Sequence, residues 1–181
     1  MMRNTIHCAS IVVAMLAGGC AAPFIQTRTL GDGHTLTFRY GRGGPMPGMN
    51  DWAEVTGLGP TLTFNDKTHE CNFLWVLHLT IKQDIVKVVL EDVTTASTSV
   101  IAEDYEPEVL SKRYMLMSKH IPFSPETVPW MFDPQDTWFI FRIDLFNRAG
   151  QSTSLYQPCL VSTALKLPVL QAVNQMRQTN R

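Results

Sequence analysis

The chain lacks the features that mark several large functional classes. It has no long basic run, and 15 Lys and Arg residues stand against 16 Asp and Glu residues, for a formal net charge of −1 at pH 7. Nucleic-acid-binding domains cluster Lys and Arg on one face, so this composition argues against a nucleic-acid partner. No apolar run reaches the roughly 20 residues that a membrane-spanning helix needs.

Short catalytic motifs are also missing. The sequence contains no Gly-x-Ser-x-Gly, no His-Glu-x-x-His, no phosphate-binding loop and no Cys-x-x-Cys. The strongly apolar strand patterns hold a single carboxylate, Asp144, and Arg142 two residues earlier predicts an ion pair on the same strand face. The sequence therefore predicts a non-enzymatic protein without a cofactor.

The N-terminus has the layout of a secretory signal peptide. Arg3 precedes an apolar run from Ile6 to Ala17 that ends in small residues. The segment Leu16-Ala17-Gly18-Gly19-Cys20 resembles the lipobox of bacterial lipoproteins, in which the cysteine is lipidated and becomes the new N-terminus. Ordinary signal cleavage after Ala22, with release of a soluble protein, is the alternative.

The lipoprotein resemblance implies a domain layout and a location. Residues 1–19 would form the signal peptide, residues 20–30 the lipidated Cys20 and a tether, and residues 31–181 a single folded domain. Within that family, Ala21 after the cysteine implies anchorage in the outer membrane, here at the periplasmic face. The membrane contact would run through the N-terminal lipid, whose buried acyl chains each contribute roughly 0.8 kcal/mol per CH₂.

Few cysteines remain for the folded domain. Cys8 leaves with the signal peptide and Cys20 carries the lipid, so Cys71 and Cys159 are the remaining pair. In an oxidising compartment such a pair predicts a disulfide. Two separate buried thiols are the alternative.

Alternating apolar residues predict an all-β domain. Phe73–Ile81 and Trp138–Phe146 each place one apolar face at a period of two, and Asn147-Arg-Ala-Gly150 is typical of a hairpin loop. The short link between Ile81 and Ile85 predicts a second hairpin, whereas the Gly- and Pro-rich residues 41–60 predict a long loop. We expect an antiparallel β-sandwich of immunoglobulin-like type with a short C-terminal helix.

One short motif has metal-binding chemistry. Met115, Met117 and His120 lie close in sequence and offer two thioethers and an imidazole, a ligand set suited to Cu(I) in an oxidising compartment. The alternative is that the two methionines fill the core of a strand, as methionine commonly does. Binding of Cu(I) in the periplasm is therefore our second functional hypothesis.

Apolar residues in the predicted loops point to a protein partner. Met46, Met49 and Trp52 lie in the first loop, and Trp130 and Phe132 lie in a Pro-broken segment. Exposed aromatic and methionine side chains commonly anchor interfaces. The leading hypothesis is an envelope lipoprotein that binds another protein, as assembly accessory, adaptor or inhibitor, through loops at one end. The alternative is that these side chains fold back over the sandwich.

Overall fold

The computed structural model describes residues 24–30, 35–41, 44–65, 70–95, 97–105, 110 and 112–179. The predicted signal peptide and the predicted lipidation site at Cys20 lie outside these residues. The strands are β1 (Phe24–Thr29), β2 (Thr35–Gly41), β3 (Gly44–Pro45), β4 (Ala53–Asn65), β5 (Glu70–Ile81), β6 (Ile85–Asp92), β7 (Ser99–Tyr105), β8 (Arg113–Met117), β9 (Ile121–Pro122), β10 (Thr137–Asn147) and β11 (Ser152–Val161), and the helices are α1 (Pro129–Phe132) and α2 (Thr163–Thr179).

Two antiparallel sheets form the sandwich, which confirms the predicted fold class. One sheet has the order β4-β5-β8 and the other has the order β11-β10-β6-β7. Counted along the chain, the seven strands of the sandwich are β4, β5, β6, β7, β8, β10 and β11. The first, second and fifth of them form one sheet, and the third, fourth, sixth and seventh form the other. This is an immunoglobulin-like strand order in which the fourth strand joins the sheet of the third, sixth and seventh.

The hairpin prediction is right at one place and wrong at another. Gly150 adopts a φ of 77° between β10 and β11, which pair over their full lengths as expected. By contrast, β5 and β6 belong to different sheets, because the link Lys82–Asp84 carries the chain across the sandwich. Both strands bury most of their apolar side chains, and burial alone does not distinguish a hairpin from a crossing.

The Gly- and Pro-rich segment is only partly a loop. Its second half lies in β4, which pairs with β5 from Ala53 to Asn65 and carries Gly57, Gly59 and Pro60. Because β4 is an edge strand, Pro60 removes no hydrogen bond from the centre of the sheet. The sequence prediction of a loop there is wrong.

The facing surfaces of the sheets hold the main core. Its central members are residues of β5 and β10 that were predicted to point inward, namely Phe73, Trp75, Leu77, Leu79, Phe141, Ile143 and Leu145. Each such apolar side chain stabilises the fold by roughly 1.5–3 kcal/mol relative to exposure. Trp75 is central to an aromatic cluster, with ring centroids 4.7 Å from Phe141 and 5.0 Å from Phe139.

A small N-terminal sheet, β1-β2-β3, covers the outer face of β10. Leu30 and Phe38 are buried there against Val93 and Ile140. The Arg28 guanidinium lies 4.8 Å from the Trp138 ring centroid. The expected tether is therefore wrong from Phe24 onward, because that part of the chain is a strand with its own buried contacts.

Helix α2 confirms the predicted C-terminal helix and packs Val173 into the core. In its first turn, the ammonium of the buried Lys166 donates to the carbonyls of Asp133 and Gln135 and to Thr137 Oγ1. These bonds fix the loop between α1 and β10 to the helix. Within the described residues, neither helix has the length and apolar character needed to cross a membrane.

Candidate functional site

Trp52 and Trp130, which were expected to contribute to one interface, lie at opposite ends of the sandwich. Lys82 N, just after β5, donates to Trp52 O at 2.8 Å, whereas Trp130 stacks on Trp75 with ring centroids 5.7 Å apart. Lys82 and Trp75 are seven residues apart along an extended segment, which corresponds to about 23 Å. A single surface formed by Trp52 and Trp130 is therefore excluded.

The individual residues divide between surface and core. Met46 and Met49 are 52% and 59% exposed, as the interface hypothesis requires. Trp52 and Trp130 instead pack against the main core, as the fold-back alternative predicts. Phe132 is intermediate between these two groups. It is 37% exposed, and its ring centroid lies 5.4 Å from that of Phe123.

The expected disulfide between Cys71 and Cys159 is absent, and both are buried thiols. Cys71 lies opposite Phe64 in the β4–β5 ladder, while the Cys159 thiol is 3.7 Å from the carbonyl of Leu58. Leu58 and Phe64 are six residues apart on β4, about 20 Å in an extended strand. A disulfide requires Cα atoms within about 7 Å of each other, so this geometry does not allow the bond.

Burial also suppresses the reactivity of the Cys159 thiol. Desolvation in its apolar surroundings raises the pKa of Cys159 to about 12. The thiol is then protonated at neutral pH, whereas nucleophilic attack requires the thiolate. This position is typical of a structural cysteine.

The charged residues Arg142, Glu91 and Asp144 on the outer face of the second sheet are paired with one another. Arg142 pairs with Glu91 and, at 3.1 Å, with Asp144, which confirms the ion pair predicted from sequence. Ser154 donates a further bond to Asp144 at 2.5 Å. These carboxylates are thereby held by neighbouring donors rather than directed into a cleft.

One side of the sandwich is bridged by a short segment that we name the strap (residues 44–50). Gly48 N donates to Gln157 Oε1 of β11 at 2.7 Å, and Gly48 O accepts from Val55 N of β4 at 2.9 Å. Asn50 adds a bond to Thr153 at 3.2 Å. The strap thus joins the edge strands of both sheets and, at Val55 and Gln157, blocks their pairing with other chains.

On the opposite side, the edge strands are β7 and β8, and we name these two strands the open edge. Among the described residues, β7 pairs with β6 alone and β8 with β5 alone. Tyr114 donates to Asp104 at 2.5 Å and ties the two strands together. Four apolar side chains that are at least half exposed lie here, namely Val100, Tyr105, Met115 and Met117.

The predicted copper ligands are only partly brought together. Met115 and Met117 lie on the same outward face of β8, so the core-filling alternative is wrong for them. His120 is also exposed, but it lies beyond β8, three residues after Met117. The ladder instead places His78 of β5 directly opposite Met115. The alternation of β5 predicts that His78 faces outward, but its neighbour on β8 depends on the register.

A shallow groove of about 510 Å³ runs along this outer face, lined by Thr56, His78, Leu79, Thr80, Arg113, Tyr114 and Met115. Within the described ranges, no three His, Cys, Asp or Glu side chains converge as a metal ion would require. Any metal site here therefore depends on the methionine thioethers.

No family model, no curated protein and no solved structure matches this chain. Its function must therefore be inferred from its own sequence and geometry.

Proposed function

We propose that the protein is a non-enzymatic lipoprotein of the outer membrane, on the periplasmic face, that binds another envelope protein along the open edge. The observation that carries this proposal is the asymmetry between the two sides of the sandwich. The strap bonds to Val55 and Gln157 on one side, whereas the open edge exposes Val100 and Tyr105 on the other. An exposed edge strand is a template for an added strand from a partner.

Acidic residues on and after β7 favour a basic partner. Asp104 lies on the strand beside Glu103, which pairs with Lys87 at 3.2 Å, and Glu106 and Glu108 follow in the sequence. Two copies of this chain paired along β7 would bring these carboxylates together, and like charges on neighbouring strands are destabilising. An extended segment that carries Lys or Arg is the complementary occupant.

The proposed anchor is compatible with such a partner. Cys20 precedes the first residue of β1, Phe24, by four positions, so the lipid lies at most about 14 Å of extended chain from the N-terminal sheet. The domain would then remain at the membrane surface, where its partner would also be anchored or embedded.

Supporting the non-enzymatic assignment, the reactive groups already have structural roles. Lys166 is buried and bonded to three oxygen atoms, Cys159 is a protonated thiol, and Asp144 is held by Arg142 and Ser154. A catalytic residue needs access to a substrate and a pKa suited to proton transfer or attack.

Affinity capture with matched variants tests the partner assignment. Val100→Lys and Tyr105→Lys add positive charge at β7 but remove little buried surface, so we expect the recovered partner to decrease at an unchanged melting temperature. Met49→Lys places the same charge at an exposed position of the strap, and it should leave capture of the partner intact. Equal capture by all variants would contradict the open-edge assignment.

The anchor has a separate test. Intact-mass spectrometry of the protein from bacterial membranes should show a chain that starts at Cys20 and carries acyl mass. A soluble chain that starts at Pro23 would contradict lipidation and leave the capture result unaffected.

A further inference from the structure

The outer face of the β4-β5-β8 sheet brings an imidazole next to a thioether. His78 and Met115 are direct partners in the β5–β8 ladder, and Val76 and Met117 are the next pair on the same face. Directly opposed side chains have Cβ atoms about 4.5–5.5 Å apart. The histidine and the first methionine are therefore neighbours without any change of backbone.

Two glycines of β4 leave space beside this pair. Gly57 lies opposite His78 and Gly59 opposite Val76, so the two positions directly across from His78 and Val76 carry no side chain. A Cβ atom on Gly57 would lie 3.4 Å from Cδ2 of His78, which places that edge of the ring over β4.

The two methionines can reach the same point. Met115 and Met117 are 50% and 53% exposed and alternate with the buried Tyr114 and Leu116. Their Cα atoms are about 7 Å apart along the strand, and each side chain has three rotatable bonds. Both thioethers can thus approach the imidazole of His78.

From this placement we propose that His78, Met115 and Met117 form a three-coordinate binding site for Cu(I). Thioether and imidazole ligands are soft, and they suit Cu(I) rather than the hard cations that carboxylates bind. None of the residues lining the groove carries a carboxylate, the ligand that hard divalent cations such as Ca²⁺ prefer. Thioethers also remain available in an oxidising compartment, where exposed thiols are lost to disulfides.

The site assigns the imidazole role to His78 instead of His120, and this difference provides the test. The full-length protein would be titrated anaerobically with Cu(I) held by the chromophoric chelator bicinchoninate. We expect His78→Ala, Met115→Leu and Met117→Leu each to weaken Cu(I) binding by more than about tenfold, the smallest loss commonly seen even for outer-shell changes. His120→Ala and Met49→Leu, which alter an exposed histidine and an exposed methionine elsewhere, should bind as the unmodified protein does.

Three results would overturn the proposal. These are the absence of Cu(I) transfer from the chelator, an equal loss in Met49→Leu and Met115→Leu, or a loss in His120→Ala with none in His78→Ala. Because every substituted side chain is at least half exposed or on the outer face, the melting temperature should not change and serves as the folding control. X-ray absorption at the copper edge should show about two sulfur ligands and one nitrogen ligand per bound ion.

Discussion

His78 and Met115 lie directly opposite each other in the β5–β8 ladder, although 37 positions separate them in the sequence. Neither residue identifies the other from sequence, because the pairing depends on the register of two strands and on which faces point outward. The same ladder places Leu77 opposite Leu116 in the core, so one register determines both the packing and the outer face.

Gly48 is the position where the strap depends most on having no side chain. A Cβ atom there would lie 2.8 Å from the carbonyl oxygen of Tyr156. Gly48→Ala should lower the free energy of unfolding by about 1–3 kcal/mol, the usual cost of overpacking. Urea unfolding measures this change. Gly59→Ala is the matched control, because no atom lies within 4 Å of its Cβ position, and an equal loss there would contradict the steric account.

Trp130 is expected to act in stability rather than in recognition. Its ring contacts Phe73 at 5.3 Å and Phe139 at 5.0 Å. Trp130→Ala should cost about 3 kcal/mol, the lower end for buried tryptophan, since the ring is only partly buried. Thermal unfolding measures the loss, and capture of the partner by the folded fraction should be unchanged. If Trp130→Ala has normal stability but no longer captures the partner, Trp130 belongs to the interface and the structural role is contradicted.

The thiols provide a chemical test of the fold. Because Cys159 is buried with a pKa of about 12, we expect it to resist alkylation by iodoacetamide in the native protein at neutral pH. Mass spectrometry should show that Cys71 and Cys159 both react once the protein is unfolded, with or without reductant. If alkylation of the unfolded chain requires a reductant, the two residues are joined and the arrangement of β4 and β11 is wrong.

Asp136 should contribute to the acid stability of the domain. Its carboxylate accepts bonds from Thr163 N at 2.7 Å and Thr163 Oγ1 at 2.9 Å at the start of α2, and these bonds lower the pKa of Asp136 below its ordinary 3.8. A lowered folded-state pKa stabilises the fold above the ordinary value, and this contribution disappears as the pH falls through the folded-state value.

Urea unfolding of Asp136→Asn across the acid range measures that contribution. The difference in stability between the parent and the variant should be largest near neutral pH and should vanish in strong acid. Thr163→Val removes one of the two donors and should reduce the acid sensitivity only in part. A constant difference at every pH would contradict the role of the charge.

The sequence was informative wherever a local pattern determines the structure. The β10–β11 hairpin follows from the apolar alternation of Phe139 to Leu145 and the left-handed position of Gly150. The β5–β6 crossing could not be predicted, because a short polar link permits either a hairpin or a change of sheet. Strand β4 was missed because the outward side of an edge strand tolerates Gly57 and Gly59, which resemble loop residues.

Distances between residues that are far apart in the chain could not be predicted from the sequence. The number of cysteines favoured a bond between Cys71 and Cys159, but their separation depends on how β11 lies against β4. Likewise, Trp52 and Trp130 were assigned to one interface only because both are tryptophans in predicted loops. Their separation follows from β5, since Trp52 bonds next to its end at Lys82 and Trp130 stacks on Trp75 within it.

Site-specific photo-cross-linking in the intact envelope tests the central claim most directly. A photoreactive amino acid at position 100 on the open edge should cross-link to a defined envelope protein, whereas the same probe at position 49 beside the strap should not. Cross-links from both positions to the same mixture, or from position 49 alone, would contradict binding along the open edge.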